Sequence, residues 1–259
     1  MNLGLKGKRA LVTGSSSGLG AAAAEALAVE EAEVAINSRN RERLEAAGKK
    51  IKEATGFEPS IITGDVSKPD DVKNIIASAG QLDILVCNAG GPPPGQFVDH
   101  LEERWRESAD LTLFSAINLT RAVIDGMRER RFGRVIFITS IGVLQPVDGL
   151  ILSNTFRAGV TGFCKTLSNN YAGDGVTFNC VCPGYTATER LQSLAENMAE
   201  QSGKTSEEII SGFAAMIPAG RVGQPEELAA LITFLASEKA AFITGASIPV
   251  DGGHHRGLL

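Results

Sequence analysis

The sequence predicts a single α/β domain over residues 1–259, built on a doubly wound, seven-stranded parallel sheet with helices on both faces. Short β-branched and apolar runs alternate along the chain with amphipathic stretches of helical period, which is the pattern of repeated βαβ units. Most of the short runs are apolar nearly throughout, as expected for strands that are covered on both faces. No linker, repeat or low-complexity segment interrupts the series, so one domain is predicted.

Seven runs are predicted to be strands, at residues 9–13, 33–37, 59–63, 84–88, 135–140, 177–182 and 246–250. The stretches between them are predicted to be helices, at residues 19–29, 41–54, 70–79, 103–130, 155–171 and 226–236. Two further polar helices, at 189–201 and 206–215, form an insertion between the sixth strand and the last helix. Open α/β sheets bind ligands at the carboxyl ends of their strands, so residues 189–216 are either a substrate lid or a surface helical pair.

Composition limits the classes of function. Hydrophobic residues make up 43% and charged residues 21%, as in ordinary soluble globular proteins. Acidic residues outnumber basic ones by 30 to 25 without a basic block, which argues against a nucleic-acid partner. The sequence has neither a signal peptide nor an apolar run of about 18 residues, so we expect a cytoplasmic protein without a membrane segment. Free buried thiols and no metal site are predicted from the cysteines, Cys87, Cys164, Cys180 and Cys182.

A glycine-rich turn joins the first predicted strand to the first helix. Its glycines, Gly14, Gly18 and Gly20, have the spacing G-x-x-x-G-x-G. Glycines let backbone N–H groups approach a pyrophosphate, and the helix N-terminus adds a partial positive charge. A tight turn without a ligand is the alternative, but the position between a strand and a helix favours dinucleotide binding.

The end of the second predicted strand distinguishes between two nucleotides. A carboxylate at this point holds a ribose 2′-hydroxyl, whereas an arginine holds a 2′-phosphate. Residues 37–40 contain one guanidinium, Arg39, and no acid. A solvated surface arginine is the alternative, but Arg39 can pair with a phosphate through bidentate, charge-assisted hydrogen bonds. NADP(H) is therefore predicted as the cofactor in preference to NAD(H).

These features resemble the short-chain dehydrogenase/reductase family over residues 5 to about 253, and among its members the reductases of β-ketoacyl-acyl-carrier-protein type. The motifs that carry the resemblance follow successive strands: the turn 13–20, Asp65 with Val66, Asn88 with Ala89 and Gly90, Ser140, Pro183 with Gly184 and Thr188, then 220–223 and 251–253. The resemblance implies a single-domain Rossmann fold. It also implies a homotetramer, with a dimer as the next choice.

The resemblance implies where each part of the cofactor binds. The pyrophosphate and adenosine ribose are expected on turn residues, namely Gly14, Ser16, Ser17, Gly18 and Leu19. The adenine is expected on Asp65 and Val66, and the central ribose on the turn of Asn88, Ala89 and Gly90. The nicotinamide carboxamide is expected on Pro183, Gly184 and Thr188.

Of the family's four catalytic positions, only Ser140 carries the family's residue in this chain. The family uses Asn, Ser, Tyr and Lys, with Tyr four residues before Lys in a helix. The chain has two tyrosines, Tyr171 and Tyr185, and neither is followed by a lysine at that spacing. The family's interval after Ser140 leads to Ser153 and then to Arg157, and the helical Asn position falls on Thr112.

Serine and arginine cannot replace this pair directly. A lysine ammonium lowers the pKa of the tyrosine, ordinarily about 10, toward neutrality, but it cannot ionise a serine hydroxyl. Arg157 is expected to stay charged at any working pH, so it cannot donate a proton. Losing a positioned acid costs roughly 10²- to 10⁴-fold in rate. Ser140 and Arg157 are instead expected to donate to a developing oxyanion, and water relayed through Ser153 to deliver the proton.

Three hypotheses on function follow. The first is an NADP(H)-dependent oxidoreductase acting on a carbonyl or a secondary alcohol through Ser140, Ser153 and Arg157. The second is a dinucleotide-binding sensor or partner-binding protein without turnover, in which Arg157 holds only the nicotinamide ribose. The third is a non-redox reaction such as a dehydration on the same fold.

The expected walls of the pocket indicate the class of substrate. The expected pocket walls, 91–98, 141–153 and 189–216, are mostly apolar and offer no evident anionic anchor. A largely apolar small molecule is therefore expected as substrate. His254 and His255, near the end of the chain, are expected to be exposed and passive.

Overall fold

The computed structural model describes residues 2–258 and confirms the predicted sheet. Its seven parallel strands are β1 (Arg9–Val12), β2 (Glu33–Ser38), β3 (Ser60–Thr63), β4 (Ile84–Cys87), β5 (Gly133–Ile138), β6 (Val176–Pro183) and β7 (Ser247–Val250). Their order in space is β3-β2-β1-β4-β5-β6-β7. The direction of winding therefore reverses between β1 and β4, and a ligand crevice is expected above their carboxyl ends.

Helices cover both faces of the sheet. In chain order they are α1 (Gly18–Val29), α2 (Arg41–Thr55), α3 (Pro69–Ala79), α4 (Glu102–Ala109), α5 (Ser115–Glu129), α6 (Ile151–Tyr171), α7 (Glu189–Ser202), α8 (Ser206–Met216) and α9 (Pro225–Ala236). Alternate residues of β1 enter opposite cores: Ala10 and Val12 pack with α1 and α9, and Leu11 packs with α3 and α5. This doubly covered sheet explains why the strand sequences are apolar throughout.

The prediction of one uninterrupted helix over 103–130 was wrong in its middle. The structure has α4, then a π-helical turn over Asp110–Phe114, then α5. A π turn inserts one residue, and the apolar residues within this turn, Leu111, Leu113 and Phe114, hide the shift in period. Thr112, where the sequence placed the family's helical Asn, lies in this turn.

Other expectations from composition can be compared with the described residues. All four cysteines are buried and free, as predicted. Within residues 2–258 no three or more His, Cys, Asp or Glu side chains cluster to hold a metal ion. No helix in the same range is both long and apolar enough to cross a membrane.

Candidate active site

Hydrogen bonds join the turns after β1 and β4 at the crevice. The Thr13 hydroxyl donates to the Asn88 carbonyl oxygen at 2.7 Å, and the Asn88 backbone N–H donates to Thr13 Oγ1 at 3.0 Å. The Asn88 side-chain amide donates to the Gly14 carbonyl oxygen at 2.9 Å. A Cβ on Gly20 would lie 2.4 Å from that same Gly14 oxygen, so only glycine lets α1 approach the turn so closely.

The N-terminus of α1 faces into this crevice with its donors uncapped. Ser17 is the N-cap residue, and its side chain makes no capping hydrogen bond. The first N–H groups of α1 are therefore free of a side-chain acceptor, and they carry the positive end of the helix dipole. A Cβ on Gly18 would lie 3.4 Å from Thr188 Cγ2, so the beginnings of α1 and α7 are adjacent. This arrangement is suited to a diphosphate.

The predicted adenosine residues lie at the ends of β2 and β3. The side chain of Arg39 is 73% exposed, and its Nη1 is 4.0 Å from Asp65 Oδ2. Asp65 Oδ1 accepts hydrogen bonds from the backbone and hydroxyl of Ser67, which orient the carboxylate, and Val66 beside it is buried. A solvent-exposed ion pair at 4.0 Å is weak, so Arg39 is free to turn toward a phosphate.

A cavity of about 180 Å³, the inner cavity, lies above the carboxyl ends of β5 and β6. Ten of the predicted site residues do not line it, because they belong to the adenosine side and the β1 and β4 turns. Those that do are Leu19, Ser140, Ser153, Arg157, Pro183, Gly184 and Thr188. The structure therefore brings the predicted catalytic residues and the predicted nicotinamide residues together in one cavity.

Ser140, Ser153 and Arg157 are held in place around the inner cavity. Ser140 Oγ accepts a hydrogen bond from the Gly142 N–H at 3.0 Å, which leaves the hydroxyl hydrogen available to donate. Arg157 Nε donates to Ser153 Oγ at 3.2 Å, and its Nη1 donates to the Ile138 carbonyl oxygen at 2.8 Å. A guanidinium and two hydroxyls thus converge on the same space.

The environment of Arg157 lowers its pKa. Burial lowers the pKa of Arg157 to about 10, and the nearby positive charge of Arg190 acts in the same direction. The guanidinium is therefore protonated at neutral pH, and its charge is lost only as the pH rises through about 10.

Thr112 occupies the π turn beneath the cavity. It is buried, and its Oγ1 has no hydrogen-bond partner among residues 2–258. It borders a narrow cleft together with Asn88, Ala89 and Arg157. Thr112, at the position that the sequence assigned to the family's Asn, is therefore next to Arg157, the candidate catalytic arginine. Its hydroxyl oxygen has no hydrogen-bond partner among the described residues.

Arg190 is the main site residue that the sequence analysis missed. It lies on α7, two residues after Thr188, and lines the inner cavity. The residue is exposed overall, but its guanidinium donates to the carbonyl oxygens of Pro92 at 2.8 Å and Gly91 at 3.3 Å. Desolvation of this group lowers the pKa of Arg190. The sequence analysis named no charged side chain in these walls, because sequence spacing gave no sign that Arg190 turns inward.

A larger cavity of about 810 Å³, the outer cavity, continues from the inner one. Leu150, Leu194 and Tyr185 line both cavities. The Tyr185 ring stacks on Phe213 with centroids 4.3 Å apart, and on His254 with centroids 5.3 Å apart. Residues of α7 and α8 form the far wall.

His254 is not exposed as expected. It is partly buried against Tyr185, and its Nδ1 has no partner within the described residues. Asp251 folds the end of the chain back, since its carbonyl oxygen accepts from the His254 N–H at 3.2 Å and its Oδ2 accepts from the His255 N–H at 2.7 Å. This return of the chain is a tertiary contact that a terminal sequence position does not predict.

Comparison with known proteins agrees with this fold. The sequence profile of a family described as enoyl-(acyl carrier protein) reductase matches residues 14–255. The chain is 35% identical to the acetoacetyl-CoA reductase of Shinella zoogloeoides over 248 residues, which cover 94% of this chain and 97% of that relative. It is 36% identical to the 3-oxoacyl-acyl-carrier-protein reductase of Chlamydia trachomatis over 253 residues, covering 96% and 98%.

Among solved structures, the L-sorbose reductase of Gluconobacter frateurii, complexed with NADPH and L-sorbose, superimposes with a TM-score of 0.95. The identity is 33%, and the match covers 100% of both chains. The fold and the strand-end motifs define an oxidoreductase of Rossmann type. The chain belongs to the short-chain dehydrogenase/reductase family.

Proposed function

We propose that this protein is an NADP(H)-dependent oxidoreductase that adds hydride to a carbonyl or removes it from a secondary alcohol. The observation that carries the proposal is the uncapped N-terminus of α1, which opens beside a cavity containing Ser140 and Arg157. The similarity to ketoacyl and acetoacetyl-CoA reductases, and to a reductase crystallised with NADPH, supports it.

The residues of the crevice fit a nicotinamide dinucleotide phosphate. The α1 N-terminus and its turn, with Gly14, Ser16, Ser17, Gly18 and Leu19, would hold the diphosphate and adenosine ribose, and Arg39 the 2′-phosphate. Asp65 and Val66 would hold the adenine, the turn at Asn88, Ala89 and Gly90 the central ribose, and Pro183, Gly184 and Thr188 the carboxamide. When bound, the nicotinamide supplies or accepts the hydride.

The protein's own residues manage the charge that develops on the substrate. Ser140 and Arg157 donate hydrogen bonds to the oxyanion, which replaces part of the stabilisation that immediate protonation would give. Ser153, already hydrogen-bonded to Arg157, relays a proton from water. Arg157 has a second role toward the nicotinamide ribose hydroxyls, since a guanidinium has enough N–H donors for both partners.

Residues 189–216 act as a lid in this proposal. Leu191 and Leu194 of α7 line the inner cavity, and α8 contributes Phe213 to the outer one. An ion pair between Arg43 and Glu189 attaches the beginning of α7 to α2, so the remainder of the insertion is the part that can move. A lid of this kind would exclude water from the reacting carbonyl.

The assembly in this proposal is a homotetramer, with a dimer as the next choice. The π turn between α4 and α5 presents Phe114 to solvent with 48% of its surface exposed. A large apolar side chain on a helical face is suited to a subunit interface.

The choice of cofactor is tested by titration calorimetry with NADPH and NADH. Wild-type protein is expected to bind NADPH more tightly than NADH, and Arg39→Ala to weaken NADPH binding roughly 10- to 100-fold through loss of a charge-assisted pair. Binding of NADH should not change. The matched control is Arg41→Ala, which removes an exposed arginine that pairs with Glu45. Equal losses in both variants would refute the assignment of Arg39.

The reaction is tested by following NADPH consumption with a panel of ketones and keto acids at saturating NADPH. We expect consumption with at least one carbonyl class. Tight NADPH binding without consumption across the panel would contradict the proposal and favour the sensor hypothesis, for which the absence of a Tyr-x-x-x-Lys pair is the supporting feature. Substrate conversion with the cofactor left unchanged would favour a dehydration.

A further inference from the structure

Two guanidinium groups from different helices reach the inner cavity. Arg157 comes from α6 and Arg190 from α7, and each guanidinium donates hydrogen bonds to backbone carbonyl oxygens. Neither makes a salt bridge within residues 2–258, and no Asp or Glu is among the residues that line this cavity there. The nearest acid on α7, Glu189, is paired with Arg43 instead. The cavity therefore carries an unbalanced positive charge.

Placing this charge in the cavity costs free energy. Desolvation disfavours both cations, and the charge of Arg190 also disfavours that of Arg157. Proteins ordinarily balance such groups with an acidic partner. Each guanidinium here uses only some of its N–H donors, so Arg190 can form bidentate hydrogen bonds to an anion and Arg157 can donate a further one.

From this juxtaposition we infer that the substrate carries a carboxylate close to its reacting carbonyl, and that Arg157 and Arg190 hold it. The inference rests on the proposed function and specifies its substrate class. The walls formed by Leu150, Leu194 and Tyr185 lead from the arginines to the outer cavity, so the rest of the substrate is an apolar or aromatic body that extends outward.

A carboxylate substrate also accounts for catalysis without a tyrosine acid. When hydride adds to the carbonyl carbon, the C=O electron pair moves onto oxygen and a second negative charge develops beside the carboxylate. Two guanidiniums balance these two charges until the oxygen takes a proton from water. The transition state therefore gains more from the cations than the neutral carbonyl of the ground state does, which is the condition for rate enhancement.

The diphosphate of the cofactor is the competing anion for Arg190. Thr188, two residues earlier, lies next to Gly18 at the α1 N-terminus. The hydrogen bonds of Arg190 instead hold its guanidinium at the loop of Gly91 and Pro92. An experiment must therefore measure cofactor binding and carboxylate binding separately.

The test is calorimetric titration of the NADPH complex with 3-phenylpropanoate and with its neutral isostere, 3-phenylpropanamide. We expect the wild type to prefer the carboxylate roughly 10- to 100-fold, and Arg157→Gln or Arg190→Gln to remove most of this preference. Arg190→Gln should leave the Kd for NADPH unchanged. The matched control, Arg106→Gln, removes an exposed arginine of α4 that pairs with Glu102 outside the cavity, and it should keep the full preference. Arg190→Gln alone decides the matter if Arg157→Gln does not fold.

Two results would overturn the inference. One is equal or undetectable binding of the two probes by the wild type. The other is a large loss of NADPH affinity in Arg190→Gln with the carboxylate preference intact, which would assign Arg190 to the diphosphate. If the wild type bound no NADPH, the proposed function would fail separately, and the same two probes titrated into the free protein would still decide whether the cavity selects a carboxylate.

Discussion

Replacing Arg157 with glutamine is expected to lower kcat/KM for carbonyl reduction by roughly 10²- to 10³-fold, the usual effect of losing one oxyanion donor. Glutamine keeps a polar group near Ser153 Oγ but removes the positive charge and most of the N–H donors. The measurement is steady-state NADPH oxidation with the best carbonyl substrate of the panel. Arg106→Gln, which removes an exposed arginine on α4, is the control and should retain wild-type kinetics.

The same variant separates the two roles proposed for Arg157. A fall in kcat with an unchanged Kd for NADPH would mean that Arg157 acts mainly on the developing charge, whereas a rise in that Kd would reveal contact with the cofactor ribose. Ser140→Ala provides the companion measurement, because its hydroxyl is the other proposed donor. Unchanged kcat/KM in both variants would refute the catalytic assignment.

Restoring the missing pair by Ser153→Tyr with Arg157→Lys is expected to accelerate the reduction of simple ketones by roughly 10²- to 10⁴-fold, the contribution of a positioned general acid. Ser153 lines the inner cavity, so a tyrosine there would place its hydroxyl in the same space. The lysine four residues later lies on the same helix face and lowers the tyrosine pKa toward neutrality.

The control for this prediction is Ser153→Phe with Arg157→Lys, which has the same bulk and charge but no phenolic hydroxyl. Both double variants are compared for NADPH affinity, thermal stability and initial rates on the same ketone. Equal rates in the tyrosine and phenylalanine variants would show that proton transfer by this residue is not what limits the reaction. The comparison also separates the lost acid from any change in cavity shape.

Much of the fold could be predicted from local patterns. The β2 prediction ends one residue before the observed strand, and α2 and α7 begin at the predicted residue, because apolar period and the turn residues between runs are local signals. The same signals failed at Thr112. The extra residue of a π turn does not change how many apolar residues the helical stretch contains. The position of this turn depends instead on its packing against α6, which is distant in sequence.

The candidate site, too, could be predicted from the sequence only in part. Strand-end motifs located Gly14, Asn88 and Ser140, since the carboxyl ends of parallel strands meet at one edge of the sheet. Arg190 and His254 were not located. Their contacts with Pro92 and Tyr185 join segments distant in sequence, and no periodicity or motif spacing reports such contacts.

The sequence by itself determined the fold class and the absence of a Tyr-x-x-x-Lys pair, and it led to the expectation of a dinucleotide crevice and of a preference for NADP(H) at Arg39. These depend on residue type and spacing along one strand, turn or helix. Only the tertiary structure decided that Arg157 and Arg190 share one cavity without an acid to balance them, because charge balance depends on distances between side chains from separate helices. The substrate class we infer follows from that juxtaposition.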